Sequence, residues 1–201
     1  MPTHTAKSLF DLNIQSAEEC MQLHAGIERL RTRLEISWLL RASVVFSISA
    51  MDAYFHDKIK YRAGHASLTD LPPAMARFEI PLSALPTWEQ ATRKGNVLRN
   101  WLVEHFSTRP LQKTDDIADA LKIAGIQDLW ATIEPNSPDR DTMFTTLREF
   151  VRRRNQIAHE GDRESSRRSG KKLRPIDRSY AQDCIDFTKD LVGRVENAFP
   201  R

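Results

Sequence analysis

Arg154, Asn155 and His159 place a guanidinium, an amide and an imidazole in one short stretch, Arg154-Asn155-Gln156-Ile157-Ala158-His159. The guanidinium can grip a phosphate, the imidazole can move a proton near neutral pH, and the amide can orient either group. Such a set suits phosphodiester chemistry. Upstream, Met143, Phe144, Leu147, Phe150 and Val151, with Ile157 and Ala158 beyond, recur at three- and four-residue spacing and predict an amphipathic helix ending at the set. Arg154 falls inside the apolar face, where a guanidinium needs a partner or a wet crevice. Arg152 and Arg153 rotate away by about 100° per residue and read as ordinary solvated charges.

One helix does not easily focus the three groups. Asn155 and His159 are four residues apart and stack on one face, whereas Arg154 and His159 are separated by about 140°. Three arrangements remain open: the arginine stem bends round the helix, His159 sits on a frayed last turn, or a second copy of the helix completes the site. A twofold interface sets one patch against itself, which favours a homodimer. Each residue also has a plainer reading. His159 can simply complement the helix dipole, Asn155 can cap backbone groups, and Arg154 can pair with a buried carboxylate. Asp52, set in an otherwise apolar segment, is the obvious carboxylate for that pair, and it is equally a candidate for orienting Arg154 or an imidazole.

The charge around this set is uneven. Residues 151–175 carry nine Lys/Arg against three Asp/Glu, a local +6 in a chain whose formal total is +3, so the remainder sums to −3. Arg152, Arg153, Arg163, Arg167, Arg168, Lys171, Lys172 and Arg174 are therefore the candidate contacts for a polyanion, with residues 160–175 forming a basic loop. The balanced remainder argues against a protein that coats nucleic acid without discrimination.

The scaffold reads as helical throughout, because no segment alternates with strand period for long. At 201 residues and 40% hydrophobic content, the chain supports one well-buried core and reads as a single domain, 1–201. Ser16 and Glu19 have capping-box spacing and open or interrupt a first helix reaching about Leu34. A second, from about Ser37 to Tyr61, is apolar or small all round in its middle, as a central helix should be. Residues 62–138 form a long, partly helical insertion. In it a short helix falls near Ala74–Phe78, Thr87 with Gln90 restarts helix through Phe106, and another runs from Thr114 to Ile123. Ser137 caps the motif helix, Gly161 ends it, and Pro175 with Asp177 leads into a last helix bearing Tyr180, Cys184, Phe187, Leu191, Val195 and Phe199 on its core side.

Several classes are set aside. Ile36–Phe55 has roughly membrane-spanning length but holds Arg41, Asp52 and four serines, so it reads as a buried helix of a soluble bundle with no membrane partner. Met1–Lys7 lacks an apolar core, so no targeting peptide is expected. Cys20 and Cys184 form no CxxC pair and suit a reduced, cytoplasmic setting. The other histidines, His4, His24, His56, His65 and His105, lack paired ligand spacing, so no metal and no cofactor is expected. Trp38, Trp88, Trp101 and Trp130 are dispersed and read as core packing.

With these residues in view, the chain resembles the HEPN superfamily. Arg154, the polar Asn155 and His159, with four residues between arginine and histidine, resemble its signature. Leu40-Arg41-Ala42-Ser43-Val44-Val45 through Met51-Asp52-Ala53-Tyr54-Phe55 is similar to the long second helix of the RiboL-PSP-like branch, which often has a carboxylate followed by Ala-Tyr. The order of motif helix, polar loop and last helix agrees as well. The resemblance covers 16–61 and 139–199. It implies an all-α HEPN-like bundle and a metal-independent endoribonuclease, usually dimeric, often in antiviral defence or toxin–antitoxin systems with an antitoxin or sensor protein as partner.

The chemistry fits that implication. RNA carries its own nucleophile, so an enzyme need only deprotonate the 2′-OH, stabilise the phosphorane and protonate the 5′-oxygen, leaving 2′,3′-cyclic phosphate and 5′-OH ends. Two other readings stand beside it: a non-catalytic HEPN-like module that binds RNA, a nucleotide or a protein, and a purely structural domain with Arg154 and His159 both enclosed.

Overall fold

The computed structural model describes residues 5–30, 34–65, 69–164 and 172–199, which form nine α-helices and no strand. They are α1 (Ala6–Arg29), α2 (Ser37–His65), α3 (Pro73–Ala76), α4 (Leu85–Gln90), α5 (Lys94–Phe106), α6 (Thr114–Ile123), α7 (Leu129–Ile133), α8 (Ser137–Glu160) and α9 (Arg178–Ala198). The all-α expectation holds.

Local chemistry explains the helix ends. The Thr5 hydroxyl accepts from the Ser8 amide, and the Thr5 amide donates to the Ser8 hydroxyl, so α1 opens eleven residues before the expected Ser16. A capping pair is useful only where amides lack helical partners, and at Ser16 they already have them. Thr87 and Gln90 fall within α4 rather than opening α5, because Ala91 is extended (ψ 121°) and breaks the run. Asn136, not Ser137, occupies the N-cap position of α8, without a side-chain capping bond, and proline stands in the first turn where its missing N–H is harmless. At the other end Gly161 turns left-handed (φ 63°), as expected. Asp177 caps α9 by accepting from the Tyr180 amide.

α2 is the central element and packs against α1, α5, α6, α8 and α9. Leu40, Val44, Ile48, Met51, Tyr54, Phe55 and Ile59 are each at most 2% exposed. Ser43 and Ser47 are fully enclosed between them, and the Ser47 hydroxyl returns to the Ser43 carbonyl (2.8 Å). The helix is not covered all round, since Trp38 and Phe46 lie on an open flank. Leu102, Leu111, Ile117, Leu121 and Ile126, from the connection between α2 and α8, join the same apolar cluster.

Two polar ties hold α2 in place. Lys58, 3% exposed, donates to Glu196 Oε1 (2.9 Å) and to the Phe199 carbonyl (2.6 Å), and the Tyr54 hydroxyl donates to the same carboxylate (2.8 Å). On the other side Asp52 accepts from the Leu111 amide (2.6 Å) and from Gln112 Nε2 (3.2 Å), with His56 Nε2 3.6 Å away. Trp88 and Trp101 are not dispersed but stack on each other, with centroids 5.6 Å apart.

Candidate functional site at the end of α8

The last three turns of α8 divide into two faces. Arg148, Arg152, Asn155 and His159 form one exposed stripe, spaced as a helix places neighbours on a surface. Leu147, Phe150 and Val151 lie on the other face, buried against the bundle. Arg154 is half-buried on that side, and its stem bends so that Nη1 donates to Asn155 Oδ1 (3.1 Å). With its oxygen engaged, the Asn155 amide keeps its NH2 for an outside acceptor. Arg154 Nε is buried without a partner. His159 is exposed and makes no hydrogen bond or ion pair among the described residues.

Arg154 and Asn155 therefore meet within one chain, and His159 stands on the same stripe as Asn155 with its ring free. Arg154 and His159 are not both enclosed, so the condition set for a purely structural reading is not met. The Arg154–Asp52 pair of the plainer reading does not form either. Asp52 is spent on the Leu111 amide and Gln112, backbone and side-chain partners that no sequence spacing announces.

The buried carboxylate at this end of the bundle is Asp162. It is 1% exposed, has φ 55°, and takes Arg41 Nε (2.6 Å) and Arg153 Nη2 (2.9 Å) on the same oxygen. Further bonds extend the network: Arg41 Nη2 reaches the Arg174 carbonyl (2.7 Å), and Arg153 Nη2 reaches the Pro175 carbonyl (2.9 Å), while Arg153 Nε is left without a partner. Arg153 is thus an anchor rather than a solvated charge. Burial pulls its guanidinium below the ordinary value and Asp162 opposes that pull; an arginine keeps its proton regardless. The sequence hinted at the network only through Arg41, a cation inside an apolar helix and therefore as much in need of a partner as Arg154.

The same aspartate fixes the base of the basic loop. The amides of Gly161 and Asp162 both donate to the Gln156 carbonyl, and the Arg174 amide donates to the Asp162 carbonyl (2.8 Å). Arg163 and Leu173 form an isolated antiparallel bridge, extended by a Glu164–Lys172 backbone bond (3.1 Å). Of the candidate polyanion contacts, Arg152 is exposed and unpaired, Lys172 is exposed beside Glu164 (3.1 Å), Arg163 is half-buried, and Arg174 Nη1 lies 3.5 Å from Glu160 without a hydrogen bond. Arg167, Arg168 and Lys171 lie outside the described residues, as does His4.

A cleft of about 540 Å³ opens beside the stripe, between Glu149, Arg152, Arg153 and Gln156 of α8 and the segment from Arg174 to Tyr180. Sequence reasoning assigned Tyr180 to the core. Its ring does pack edge-on against Phe150 (5.3 Å) but also lines this cleft, and burial pushes its hydroxyl up to about 12. Among the described residues, no three His, Cys, Asp or Glu side chains are gathered to hold a metal ion, and no helix is long and apolar enough to cross a membrane.

Comparison with known families gives a match to the RiboL-PSP-HEPN family over residues 13–199. No curated protein and no solved structure matches the chain.

Proposed function

The chain belongs to the RiboL-PSP-HEPN family, and from that premise we propose that it is a metal-independent endoribonuclease with Arg154, Asn155 and His159 as its active constellation. A HEPN-type domain suggests RNA-related work. The observation that carries the finer reading is the Arg154–Asn155 hydrogen bond beside an exposed, unpaired His159, all within the arginine-to-histidine motif. In this reading His159 moves the proton, Arg154 offers its remaining donors to the phosphorane oxygens, and the Asn155 NH2 holds a phosphate oxygen.

Cleavage by 2′-OH attack needs both a base and an acid. One chain supplies a single exposed imidazole on the stripe, so the proposal includes a homodimer in which two copies of α8 approach and two His159 rings share the roles. Arg152, Lys172 and the basic loop steer the RNA. A cytoplasmic defence or toxin–antitoxin setting, with an antitoxin or sensor protein as regulator, completes the reading. Asp52 has no place in the constellation.

The test uses mixed cellular RNA in the presence of chelator. Wild-type protein should leave 2′,3′-cyclic phosphate and 5′-OH ends, an all-DNA strand should resist, and His159→Ala should abolish cutting while melting at the wild-type temperature. A folded His159→Ala protein that cuts at the wild-type rate removes the proposed acid/base. Binding without cleavage by the wild-type dimer favours the alternative, a non-catalytic RNA-, nucleotide- or protein-binding module. The separation of Arg154 from His159 within one chain speaks for that alternative.

A further inference from the structure

The cleft between α8 and residues 174–180 has the size, the wall chemistry and the location of a ligand site. Its volume, about 540 Å³, lies within the roughly 300–1,000 Å³ typical of small-molecule pockets. Its one aromatic wall is Tyr180, whose ring is held in place by its edge-on contact with Phe150.

The cleft also has donors to spare. Arg152 makes no hydrogen bond or ion pair, and Arg153 Nε and Arg174 Nη1 are buried without hydrogen-bond partners. The two buried donors are closed to a ligand, but the exposed Arg152 guanidinium is open to one bearing anionic oxygens, with the positive charge of Arg153 and Arg174 behind it. The lining sets two carboxylates, Glu149 and Asp177, against the three guanidiniums of Arg152, Arg153 and Arg174, so its charge favours an anion.

Position links the cleft to the motif. Gln156 precedes His159 by about 4.5 Å along the helix axis, and Arg152 lies within about 20° of His159 around it. We infer that this cleft is a nucleotide subsite: it takes the nucleotide next to the scissile bond, with the base stacked on Tyr180 and the phosphate on Arg152 and Arg174. The inference rests on the ribonuclease reading, since it supposes an RNA strand passing over His159. The hydroxyl of Tyr180 keeps its proton at physiological pH, so the stacking face carries no charge against a phosphate.

Binding of a fluorescent RNA hexamer, followed by anisotropy in the His159→Ala background, tests the subsite without turnover. Tyr180→Leu should weaken binding roughly 5- to 150-fold, the range for loss of one base–aromatic stack, and Tyr180→Phe should restore it. Arg152→Gln, at an exposed position that folding tolerates, should lower the slope of log Kd against log salt by roughly 0.7. Three outcomes overturn the subsite: Tyr180→Leu binding as tightly as its parent, Tyr180→Phe failing to rescue, or an unchanged salt slope in Arg152→Gln. If any of these occurs while wild-type protein still cuts RNA, the subsite alone falls. If the folded parent binds no RNA at low salt and wild type cuts none, the ribonuclease reading falls with it.

Discussion

Asp162→Asn is the sharpest probe of what holds the end of α8. Asp162 is 1% exposed and the same carboxylate oxygen takes Arg41 and Arg153, whose side chains are 10% and 13% exposed. Asparagine is as comfortable as aspartate at a positive φ, so the backbone conformation is preserved and the change removes only charge and one acceptor. The aspartate's other oxygen has no partner, which leaves room for the amide NH2 while the amide oxygen keeps a weakened bond to the guanidiniums. What remains is two buried cations facing each other without a counter-charge. Breaking a buried pair costs about 3–5 kcal/mol, and the retained acceptor places this variant near the lower end, about 3 kcal/mol. At about 2–4 °C per kcal/mol for a chain of this size, Tm should fall by roughly 6–12 °C in far-UV circular dichroism. Combining it with Arg41→Met should cost less than the sum of the two changes, by about 0.5–3 kcal/mol, because the second removes a cation the first has stranded. A Tm within about 2 °C of wild type, or strict additivity, would refute the reasoning.

Other expectations follow from the same contacts. Burial pushes the Cys184 thiol up to about 12, above the value it has in an unfolded chain; the stabilisation is therefore complete below about pH 9 and is lost as pH rises towards 12. Denaturation midpoints of wild type should decline over that interval, and Cys184→Ala should flatten the decline; equal slopes would remove Cys184 as its cause. Asp52→Ala should cost about 1–3 kcal/mol in denaturant titration, since it leaves the Leu111 amide without its acceptor. No measurable loss would mean that water replaces the carboxylate there.

Much of this architecture was legible along the chain, for identifiable reasons. α8 announced itself by its apolar period, and its end by Gly161, since a left-handed residue is a local requirement that sequence records directly. The cap of α9 by Asp177 was equally local. The failures were non-local. Arg41 and Asp162 are 121 residues apart, and an aspartate following glycine in a polar stretch gives no sign that the fold will enclose it. Asp52 stands out in the sequence as a carboxylate in an apolar helix, with Arg154 or an imidazole as candidate partners, but its short hydrogen bond comes from a backbone amide brought up by the α5–α6 connection. The site divided in the same way. The motif positions Arg154, Asn155 and His159 lie together in sequence and could be named from it. The cleft, with Tyr180 on α9 and Arg174 on the loop base, exists only once two segments are apposed.

The tie between Lys58 and the far end of α9 bears on how the protein is born. Lys58 lies in α2, yet both of its acceptors, Glu196 and the Phe199 carbonyl, belong to the last turn of α9 and the residue just beyond it. Until those residues have left the ribosome, an ammonium in the middle of the bundle can be neither enclosed nor compensated. The native centre therefore closes only once α9 has been translated, and the nascent α1–α2 pair must wait with that side open.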